Sequence, residues 1–259
     1  MLTIDQYLRP SSLEEAYEAL QRKNSAVLGG MLWLRLGNRR ITTAIDLSAL
    51  GLDRIEETEE YIRIGAYVSL RTLETDPRLH ALTDGVLTEA LKSIVGVQFR
   101  NMATVGGSIF GRFGYSDVLT VCLALDASVE LYRGGVIPLA EFCKMERVRD
   151  ILTHVRIPRR ALRAVYGAHR SSATDFPALN VCAAAYDGNL TVTVGARPLR
   201  AVAYRLPLEG ADPSEIAERI AVQTVFSSNR RASEEYRRHL CRVLLRRALT
   251  EILDGEEKM

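Results

Sequence analysis

Two glycine doublets impose the strongest constraint on how this chain can fold. Gly29-Gly30 follows the apolar run "AVL", and Gly106-Gly107 lies between "NMATV" and "SIF". Because glycine lacks a Cβ, paired glycines let backbone N–H groups converge, and such a concavity suits a phosphate or a diphosphate. A single doublet is most often only a turn or a bulge. Two doublets beside apolar runs favour a shared anion-binding pair of loops.

Neither doublet belongs to a standard nucleotide motif. The spacing fits neither G-x-G-x-x-G nor G-x-x-x-x-G-K-[ST], so a Rossmann fingerprint and a Walker loop are both unsupported. Thr104 and Ser108 flank the second doublet with hydroxyls suited to phosphate oxygens, and Asp117 downstream is an acceptor suited to a ribose hydroxyl. From the residues alone, the prediction is a site for a nucleotide or a flavin diphosphate.

The composition is that of an ordinary globular protein. The chain has 259 residues, 47% hydrophobic and 25% charged, which is enough for two compact domains or one large one. With 34 Lys and Arg against 32 Asp and Glu, the net charge of +2 does not indicate nucleic acid as a partner. No apolar run approaches the roughly 18 to 20 residues that span a bilayer. The N-terminus lacks the pattern of a signal peptide, so we expect a cytoplasmic protein without a membrane span.

The cysteines and histidines do not predict a metal site. No C-x-x-C occurs, whereas a thiolate-ligated zinc or iron–sulfur site normally draws two ligands from one tight loop. We expect reduced, mostly buried thiols. The residues are Cys122, Cys143, Cys182 and Cys241, with His80, His154, His169 and His239 equally scattered.

Apolar periodicity predicts an α+β fold. Ser12 and Glu15 form an S-x-x-E capping box at the start of a helix over "LEEAYEALQ". Further helices are predicted at "DGVLTEALKSIV" and "DVLTVCLALDA", and strands at "AVL", "TTAIDL", "YIRIGAYVSL" and "ILTHVRIP". The charged "RRALR" segment indicates a domain junction. We therefore expect one region over 1–160, with subregions of about 1–55 and 56–160, and a second over 161–259.

The last predicted helix, "ASEEYRRHLCRVLLRRALTEIL", carries an apolar stripe and many arginines. Tyr236, Leu240 and Leu244, followed by Ala248 and Ile252, recur at helical spacing and are predicted to pack on a sheet. The arginines on the rest of the helix are predicted to face solvent or a partner. They are Arg237, Arg238, Arg242, Arg246 and Arg247.

The second doublet also carries a family resemblance. "RNMATVGGSI" with "SDV" downstream resembles the R-N-x-A-T-x-G-G-N … S-D element of the flavin-binding medium subunit of molybdenum hydroxylases, the xanthine dehydrogenase and carbon monoxide dehydrogenase family. The segments "YLRPSSLEEA", "LGGMLWLRLGNRRITTAIDLSAL", "DILTHVRIP" and "DFPALNVCAAA" are similar to further parts of that family in the same order. The resemblance implies a two-part FAD-binding domain of the vanillyl-alcohol-oxidase type, followed by a smaller α/β domain.

The resemblance further implies which residues hold FAD. Asp117 corresponds to an acidic residue that contacts the cofactor, and Leu152 to an apolar residue beside the flavin ring. No side chain is expected to act as an acid or a base. The implied cofactor-binding residues are Leu28, Gly29, Gly30, Met31, Leu32, Trp33, Leu34, Asn101, Thr104, Gly106, Gly107, Ser108, Ser116, Asp117, Ile151 and Leu152.

The chain departs from the family pattern in three places. Met31 and Leu32 stand where relatives often have Thr and Asp, so backbone amides remain but a side-chain contact is lost. Ser108 stands where Asn is usual. A Lys commonly found near residue 165 is missing from "AVYGAHR", so no flavin-tuning cation is assigned there.

The function implied by the resemblance is that of an electron-transfer subunit. Electrons would pass from [2Fe–2S] clusters of a small subunit to noncovalently bound FAD, and then to NAD+ or another acceptor, while a large subunit would carry the molybdopterin. One alternative is a free-standing FAD-dependent oxidoreductase acting directly on a small molecule. Another is a scaffold or sensor whose altered loops have lost FAD.

Overall fold

The computed structural model describes residues 1–256, which form three β-sheets with flanking helices. The first sheet is parallel, with strand order β1-β3-β2. Its elements are β1 (Thr3–Leu8), α1 (Leu13–Gln21), β2 (Ser25–Leu28) and β3 (Arg40–Asp46). The predicted cap is confirmed, because the Ser12 side chain accepts a hydrogen bond from the Glu15 amide at 3.2 Å. The Glu15 carboxylate binds the amide of Ser11 at 2.8 Å rather than that of Ser12.

The second sheet is antiparallel, with strand order β4-β5-β8-β6-β7. Its strands are β4 (Ile55–Glu57), β5 (Tyr61–Gly65), β6 (Ser128–Leu131), β7 (Gly135–Pro138) and β8 (Leu152–Pro158). The strand predicted over "YIRIGAYVSL" ends early, at Gly65. The reason is that Ala66 donates to the Thr153 carbonyl and accepts from the Gly106 amide, both at 2.8 Å, which turns the chain toward the second doublet.

Short helices connect and cover this second sheet. They are α2 (Leu70–Thr75), α3 (Pro77–Leu82), α4 (Val86–Leu91), α5 (Val97–Met102), α6 (Val105–Phe110), α7 (Asp117–Ala124) and α8 (Leu139–Phe142). The predicted helix α7 is confirmed, and all of its residues are buried. Arg100 in α5 forms a buried salt bridge with Glu74 in α2 at 2.7 Å. This ion pair fixes α5, the helix that leads into the second doublet.

The third sheet is antiparallel, and its two central strands are buried on both faces. Its strands, in the order β12-β11-β10-β9, are β9 (Arg163–His169), β10 (Leu179–Tyr186), β11 (Asn189–Gly195) and β12 (Val202–Pro207). Helices α9 (Pro213–Gln223) and α10 (Glu234–Glu256) follow. Along β10, Cys182 and Ala184 join the core around α7, whereas Val181 and Ala183 join the core under α9 and α10. The central strand therefore links the two cores.

Helix α10 buries Leu240, Ala248 and Ile252 of the predicted stripe, as expected, but not its first member. Tyr236 is 43% exposed, while Cys241, Leu245 and Leu249 are fully buried, so the prediction for Tyr236 is wrong. The prediction that Arg237 faces solvent or a partner is also wrong, because its side chain is 1% exposed. The Arg237 guanidinium binds backbone carbonyls at the ends of two strands and in the loop before α10. The acceptors are Ala178, Ala196, Ser227 and Ala232.

Three general features of the described chain concern membrane spans, cysteines and metal ligands. Within residues 1–256, no helix is both long and apolar enough to cross a membrane. All four cysteines are buried and free, as predicted for reduced thiols. In the same part of the chain, no cluster of three or more His, Cys, Asp and Glu could hold a metal ion.

Arg237→Met should destabilise the fold strongly. The variant leaves several buried carbonyls without a donor, so we expect the free energy of unfolding to fall by about 3 kcal/mol. Urea denaturation followed by circular dichroism measures this change. Arg246→Met, at an exposed position on the same helix, is the matched control and should change stability by less than about 0.5 kcal/mol. Equal effects of the two substitutions would contradict the structural role of Arg237.

Candidate cofactor-binding site

The two glycine doublets lie against each other. A Cβ built on Gly29 would come within 2.9 Å of Thr104 Oγ1 and 4.0 Å of Gly107 Cα. The first doublet follows β2, and the second forms the first turn of α6, so the contact joins the first sheet to the helices of the second. The doublets therefore form one structure, as the sequence predicts.

Glycine is required here because backbone packs on backbone. A Cβ on Gly30 would lie 1.7 Å from the Met102 carbonyl oxygen, and a Cβ on Gly106 would lie 2.8 Å from the Ala66 oxygen. Both distances are far inside van der Waals contact. Gly107 is different, because it is exposed and its nearest neighbour would be Thr104 Oγ1 at 3.1 Å. Gly30 and Gly106 thus allow two backbone segments to pack closely, whereas Gly107 leaves the exposed surface between the two doublets free of a side chain.

The first loop keeps its amides free. Within residues 1–256, the N–H groups of Gly30, Met31 and Leu32 donate no hydrogen bond to another backbone group. Met31 has a positive φ of 58°, a conformation that turns successive amides toward one side. Tyr67 fixes the strand before this loop, because its hydroxyl accepts from the Leu47 amide at 2.9 Å and donates to the Leu28 carbonyl. Burial raises the pKa of Tyr67 to about 12, so the hydroxyl keeps its proton.

Two cavities meet at the doublets. Cavity A, of about 480 Å³, is lined by the first loop, the α6–α7 segment and the loop after β9. Cavity B, of about 470 Å³, is lined by β2, the second doublet and the segment before β8. The residues that line both are Val27, Gly29, Arg39, Thr104, Gly107 and Gly111. A ligand with two ends and a central diphosphate has one cavity for each end.

The structure brings together all but one of the residues assigned by family resemblance. Cavity A contains Gly29, Gly30, Met31, Leu32, Trp33, Leu34, Thr104, Gly107, Ser108, Ser116 and Asp117. Cavity B contains Leu28, Gly29, Thr104, Gly106, Gly107, Ile151 and Leu152. Asn101 lines neither cavity and lies on the exposed face of α5. Leu152 and Asp117 lie in different cavities, at opposite ends of the site.

The predicted hydroxyl groups have local partners. Thr104 Oγ1 accepts from the Gly107 amide at 3.2 Å and caps helix α6. Ser108 donates to the Thr104 carbonyl at 2.9 Å, and Ser116 caps α7 by accepting from the Leu119 amide at 3.1 Å. In this structure these side chains chiefly hold the backbone of the site in place.

Asp117 is the centre of a buried polar network between α7 and the third sheet. Its carboxylate accepts from Tyr166 Oη and from Asn180 Nδ2, the latter at 2.7 Å. Arg170 forms a salt bridge with it at 2.9 Å, and the two side chains are 9% and 6% exposed. Burial, followed by the charge of Asp117, raises the pKa of Tyr166 well above its usual range. The network places one carboxylate and one guanidinium on the wall of cavity A.

Four of the aromatic rings that line cavity A pack together on one wall. The centroids of contacting rings in this cluster are 4.5 to 6.0 Å apart. The rings belong to Trp33, Phe113, Tyr115 and Phe176. They come from the first loop, the segment before α7 and the loop before β10, so three separate parts of the chain build this wall. Trp33 remains 44% exposed, at the mouth of the cavity. Such a wall suits a flat, conjugated ring.

Several residues of the site carry no motif in the sequence. Arg39 lines both cavities with an exposed side chain. The basic segment "NRR" after the first loop is the sequence signal that could have indicated it. Ser25 lines cavity B, and its Oγ is buried without a hydrogen-bond partner. Arg170 supplies a cation at cavity A, five positions beyond the place where the family Lys was sought.

Comparison with known proteins identifies the family. A family model described as the FAD binding domain in molybdopterin dehydrogenase matches residues 3–160, more than half of the chain. The chain belongs to this family. The Escherichia coli (strain K12) protein YgfM is 31% identical over 155 residues, and the matched part spans 56% of this chain and 57% of YgfM. The nicotine 6-hydroxylase medium subunit of Paenarthrobacter nicotinovorans is 27% identical, over 95% of this chain and 96% of that subunit.

Solved structures share the fold of this FAD-binding family member. Quinoline 2-oxidoreductase from Pseudomonas putida 86 matches with a TM-score of 0.85 at 19% identity, covering 98% of each chain. Carbon monoxide dehydrogenase from Hydrogenophaga pseudoflava matches with a TM-score of 0.82 at 21% identity, covering 96% of this chain and 97% of that one. The likeness extends over the third sheet and its helices, beyond the segment that the family model covers.

The site fits FAD on its own chemistry. Free amides at Gly30 to Leu32 beside cavity A, and the cation of Arg39, which lines both cavities, suit a diphosphate. The aromatic wall of cavity A suits a ring system. The Ser25 hydroxyl in cavity B is suited to bind a polar group of a ligand, because a buried hydroxyl without a hydrogen-bond partner raises the free energy of the folded state.

Gly30→Ala should weaken FAD binding strongly. Its Cβ would collide with the Met102 carbonyl and separate the two loops, so we expect FAD affinity to fall by more than roughly tenfold. Gly107→Ala, at an exposed position, should fold normally and lose less affinity. Gly167→Ala in β9 is the control, because its Cβ would meet Val181 Cγ2 at an ordinary 3.6 Å. Fluorescence titration gives the dissociation constants, and an unchanged constant for Gly30→Ala contradicts the close-packing argument.

Trp33 is the single tryptophan of the chain and should report on cavity A. FAD binding should quench its fluorescence, because a bound flavin or adenine ring would lie within contact of the indole or its aromatic neighbours. Trp33→Phe should lose the signal and still retain FAD in ultrafiltration. The placement of the cofactor is wrong if FAD is retained by the wild type while tryptophan emission stays constant.

Proposed function

We propose that this chain is the FAD-carrying electron-transfer subunit of a heteromeric molybdenum hydroxylase or dehydrogenase. The observation that carries the proposal is the junction of cavities A and B at two contacting glycine doublets, in a chain of the FAD-binding family of molybdopterin dehydrogenases. FAD, when bound, supplies a redox group that links two-electron chemistry to one-electron carriers. The protein's part is to bind this group, orient it and set its electrostatic surroundings.

The residues divide this work among them. The amides of the first loop and Arg39 would hold the diphosphate, and the network of Asp117 and Arg170 would set the charge at the wall of cavity A. The Asp117–Arg170 pair is nearly excluded from water, so its field is screened less than that of a surface pair. No side chain is required to transfer a proton in this role.

Bound FAD is expected to be noncovalent. Among the described residues, neither cavity A nor cavity B is lined by a cysteine or a histidine. The four cysteines are buried elsewhere, and burial raises the pKa of Cys122 to about 12 and that of Cys143 to about 11. These thiols are therefore neither placed nor ionised for attachment to a flavin.

The proposed partners follow from the relatives. The Paenarthrobacter nicotinovorans protein is a medium subunit of nicotine 6-hydroxylase, and a Sulfolobus acidocaldarius relative, 23% identical, is a medium chain of glyceraldehyde dehydrogenase. By analogy, a small subunit with [2Fe–2S] clusters would donate electrons to this chain, and a large subunit would carry the molybdenum cofactor. Electrons would leave to NAD+ or another acceptor.

Native purification tests the proposal. The chain, tagged at one terminus and purified from its own host, should carry visible flavin absorption that denaturation releases as FAD. Mass spectrometry of the same fraction should identify a large and a small partner subunit. Purification of the Gly30→Ala variant is the control for specific cofactor retention. A colourless complex that releases no flavin would contradict the proposal. A chain that carries FAD but copurifies with no partner subunit would support the free-standing oxidoreductase instead.

A further inference from the structure

Cavities A and B differ in their balance of charge. In the described part of the chain, cavity A is lined by two arginines and two carboxylates, and each carboxylate has a cationic partner. Asp117 pairs with Arg170 at 2.9 Å, and Asp175 pairs with Arg231 at 3.0 Å. Among the same residues, cavity B is lined by three arginines and one carboxylate, which are Arg39, Arg147, Arg149 and Asp150. Cavity B is therefore the more positive end of the site.

The carboxylate of cavity B is held by backbone amides. Asp150 accepts hydrogen bonds from the Gly134 amide at 2.8 Å and from the Ile151 amide at 2.7 Å. Gly134 lies in the turn between β6 and β7. Within residues 1–256, Asp150 forms no salt bridge with an arginine, so the arginines of cavity B have no carboxylate in direct contact there.

Arg149 ties the segment before β8 to helix α1. Its guanidinium donates to the carbonyls of Leu20 and Arg22, at the C-terminal end of that helix. In return, Gln21 Nε2 donates to the Arg149 carbonyl at 3.1 Å. The carbonyls at a helix C-terminus carry partial negative charge, which offsets the charge of an arginine bound to them. The structural contacts of Arg149 thus already use its charge.

Two further arginines hold the start of the same segment. Arg112 donates to the Met145 carbonyl at 2.6 Å, and Arg200 donates to the Cys143 carbonyl at 2.6 Å. Within residues 1–256, the side chains of both arginines donate only to carbonyls. Burial, followed by the charge of Arg200, lowers the pKa of Arg112. Arg147 therefore lies on a segment that is fixed on both sides, among positive charges without carboxylate partners.

Arg147 is the arginine of this segment whose charge is available to a ligand. Its side chain is exposed, and within residues 1–256 it forms no hydrogen bond and no salt bridge. It lines cavity B but not cavity A, whereas Arg39 lines both. An arginine keeps its charge at any pH at which the protein is folded. Arg147 thus places a permanent positive charge at the end of cavity B that is remote from cavity A.

We propose that Arg147 supplies the positive charge that sets the redox potential of the flavin ring in cavity B. The inference rests on the proposed function and on the expectation that the ring lies beside Leu152, which lines the same cavity. When two electrons and one proton are added to the neutral oxidised ring, the reduced ring carries one negative charge. A cation beside the ring lowers the free energy of that form relative to the oxidised form. Arg147 itself transfers neither a proton nor an electron.

Charge variants at residue 147 test the proposal. Arg147→Gln removes the cation, so the reduced-to-oxidised equilibrium constant of bound FAD should fall by about tenfold, which lowers its midpoint potential by about 30 mV for two electrons. Arg147→Glu reverses the charge and should lower the potential further. Arg147→Lys keeps the charge and should keep the wild-type potential. Spectroelectrochemical titration of the flavin absorption, on the full-length chain loaded with FAD, gives each value.

Arg246→Gln is the matched control. It removes the same charge from an exposed position of α10, outside cavities A and B, and should leave the potential of bound FAD unchanged. Because residues 147 and 246 are both exposed, thermal unfolding of each variant should match that of the wild type.

The affinities for the two forms of FAD provide a second readout. The potential of the bound cofactor depends on the ratio of its dissociation constants in the oxidised and reduced forms. Arg147→Gln should therefore weaken the binding of reduced FAD by about tenfold more than the binding of oxidised FAD. Ultrafiltration, performed under anaerobic conditions for the reduced form, measures both constants.

Four results would overturn the inference. They are an unchanged potential in Arg147→Gln and Arg147→Glu, an equal fall in Arg246→Gln, a fall in Arg147→Lys as large as that in Arg147→Gln, and an equal loss of affinity for both forms of FAD. The last result is the one expected if Arg147 bound the diphosphate. A wild-type chain that binds no FAD would contradict the proposed function and this inference with it, whereas the four results above leave the proposed function intact.

Discussion

The contact between the two glycine doublets is the interaction on which the rest of the site depends. Gly29 packs on Thr104 and Gly107, and Gly30 packs on the Met102 carbonyl, so the first sheet and the helices over the second sheet meet through bare backbone. A side chain at Gly30 would collide with this backbone and push the two loops apart, because its Cβ would lie 1.7 Å from the Met102 oxygen. Cavities A and B exist on either side of this contact because the loops touch there and diverge beyond it.

A buried ion pair extends the site to the third sheet. Asp117 at the start of α7 and Arg170 at the end of β9 are both more than nine-tenths buried, and both line cavity A. Removing one partner of such a pair leaves an uncompensated charge and typically costs about 3 to 5 kcal/mol. Tyr166 and Asn180 add hydrogen bonds to the same carboxylate. The third sheet is consequently part of the site.

Local patterns predicted the elements whose stability is local. Helix α1 has its cap at Ser12, α7 is buried along its whole length, and β8 lies where the apolar run "ILTHVRIP" places it. The errors lie where distant groups decide the conformation. The strand at Tyr61 ends at Gly65 because Ala66 bonds to residues far along the chain. Arg237 is buried because four carbonyls from three segments converge on it, and no period in the sequence can encode that convergence.

Apolar packing holds the first loop in place although Met31 and Leu32 replace the polar residues of relatives. Met31 packs beside Leu28 and Ile41, and Leu32, 8% exposed, belongs to the core of the second sheet, so each apolar side chain anchors the loop in a different cluster. A Thr and an Asp at these positions would offer ligand contacts but would leave those clusters unfilled. Anchored by its side chains, the loop leaves its amides without backbone acceptors beside cavity A, and Arg39, which lines both cavities, adds the charge that an amide lacks. Cofactor binding at this end therefore depends on backbone geometry, which apolar packing fixes.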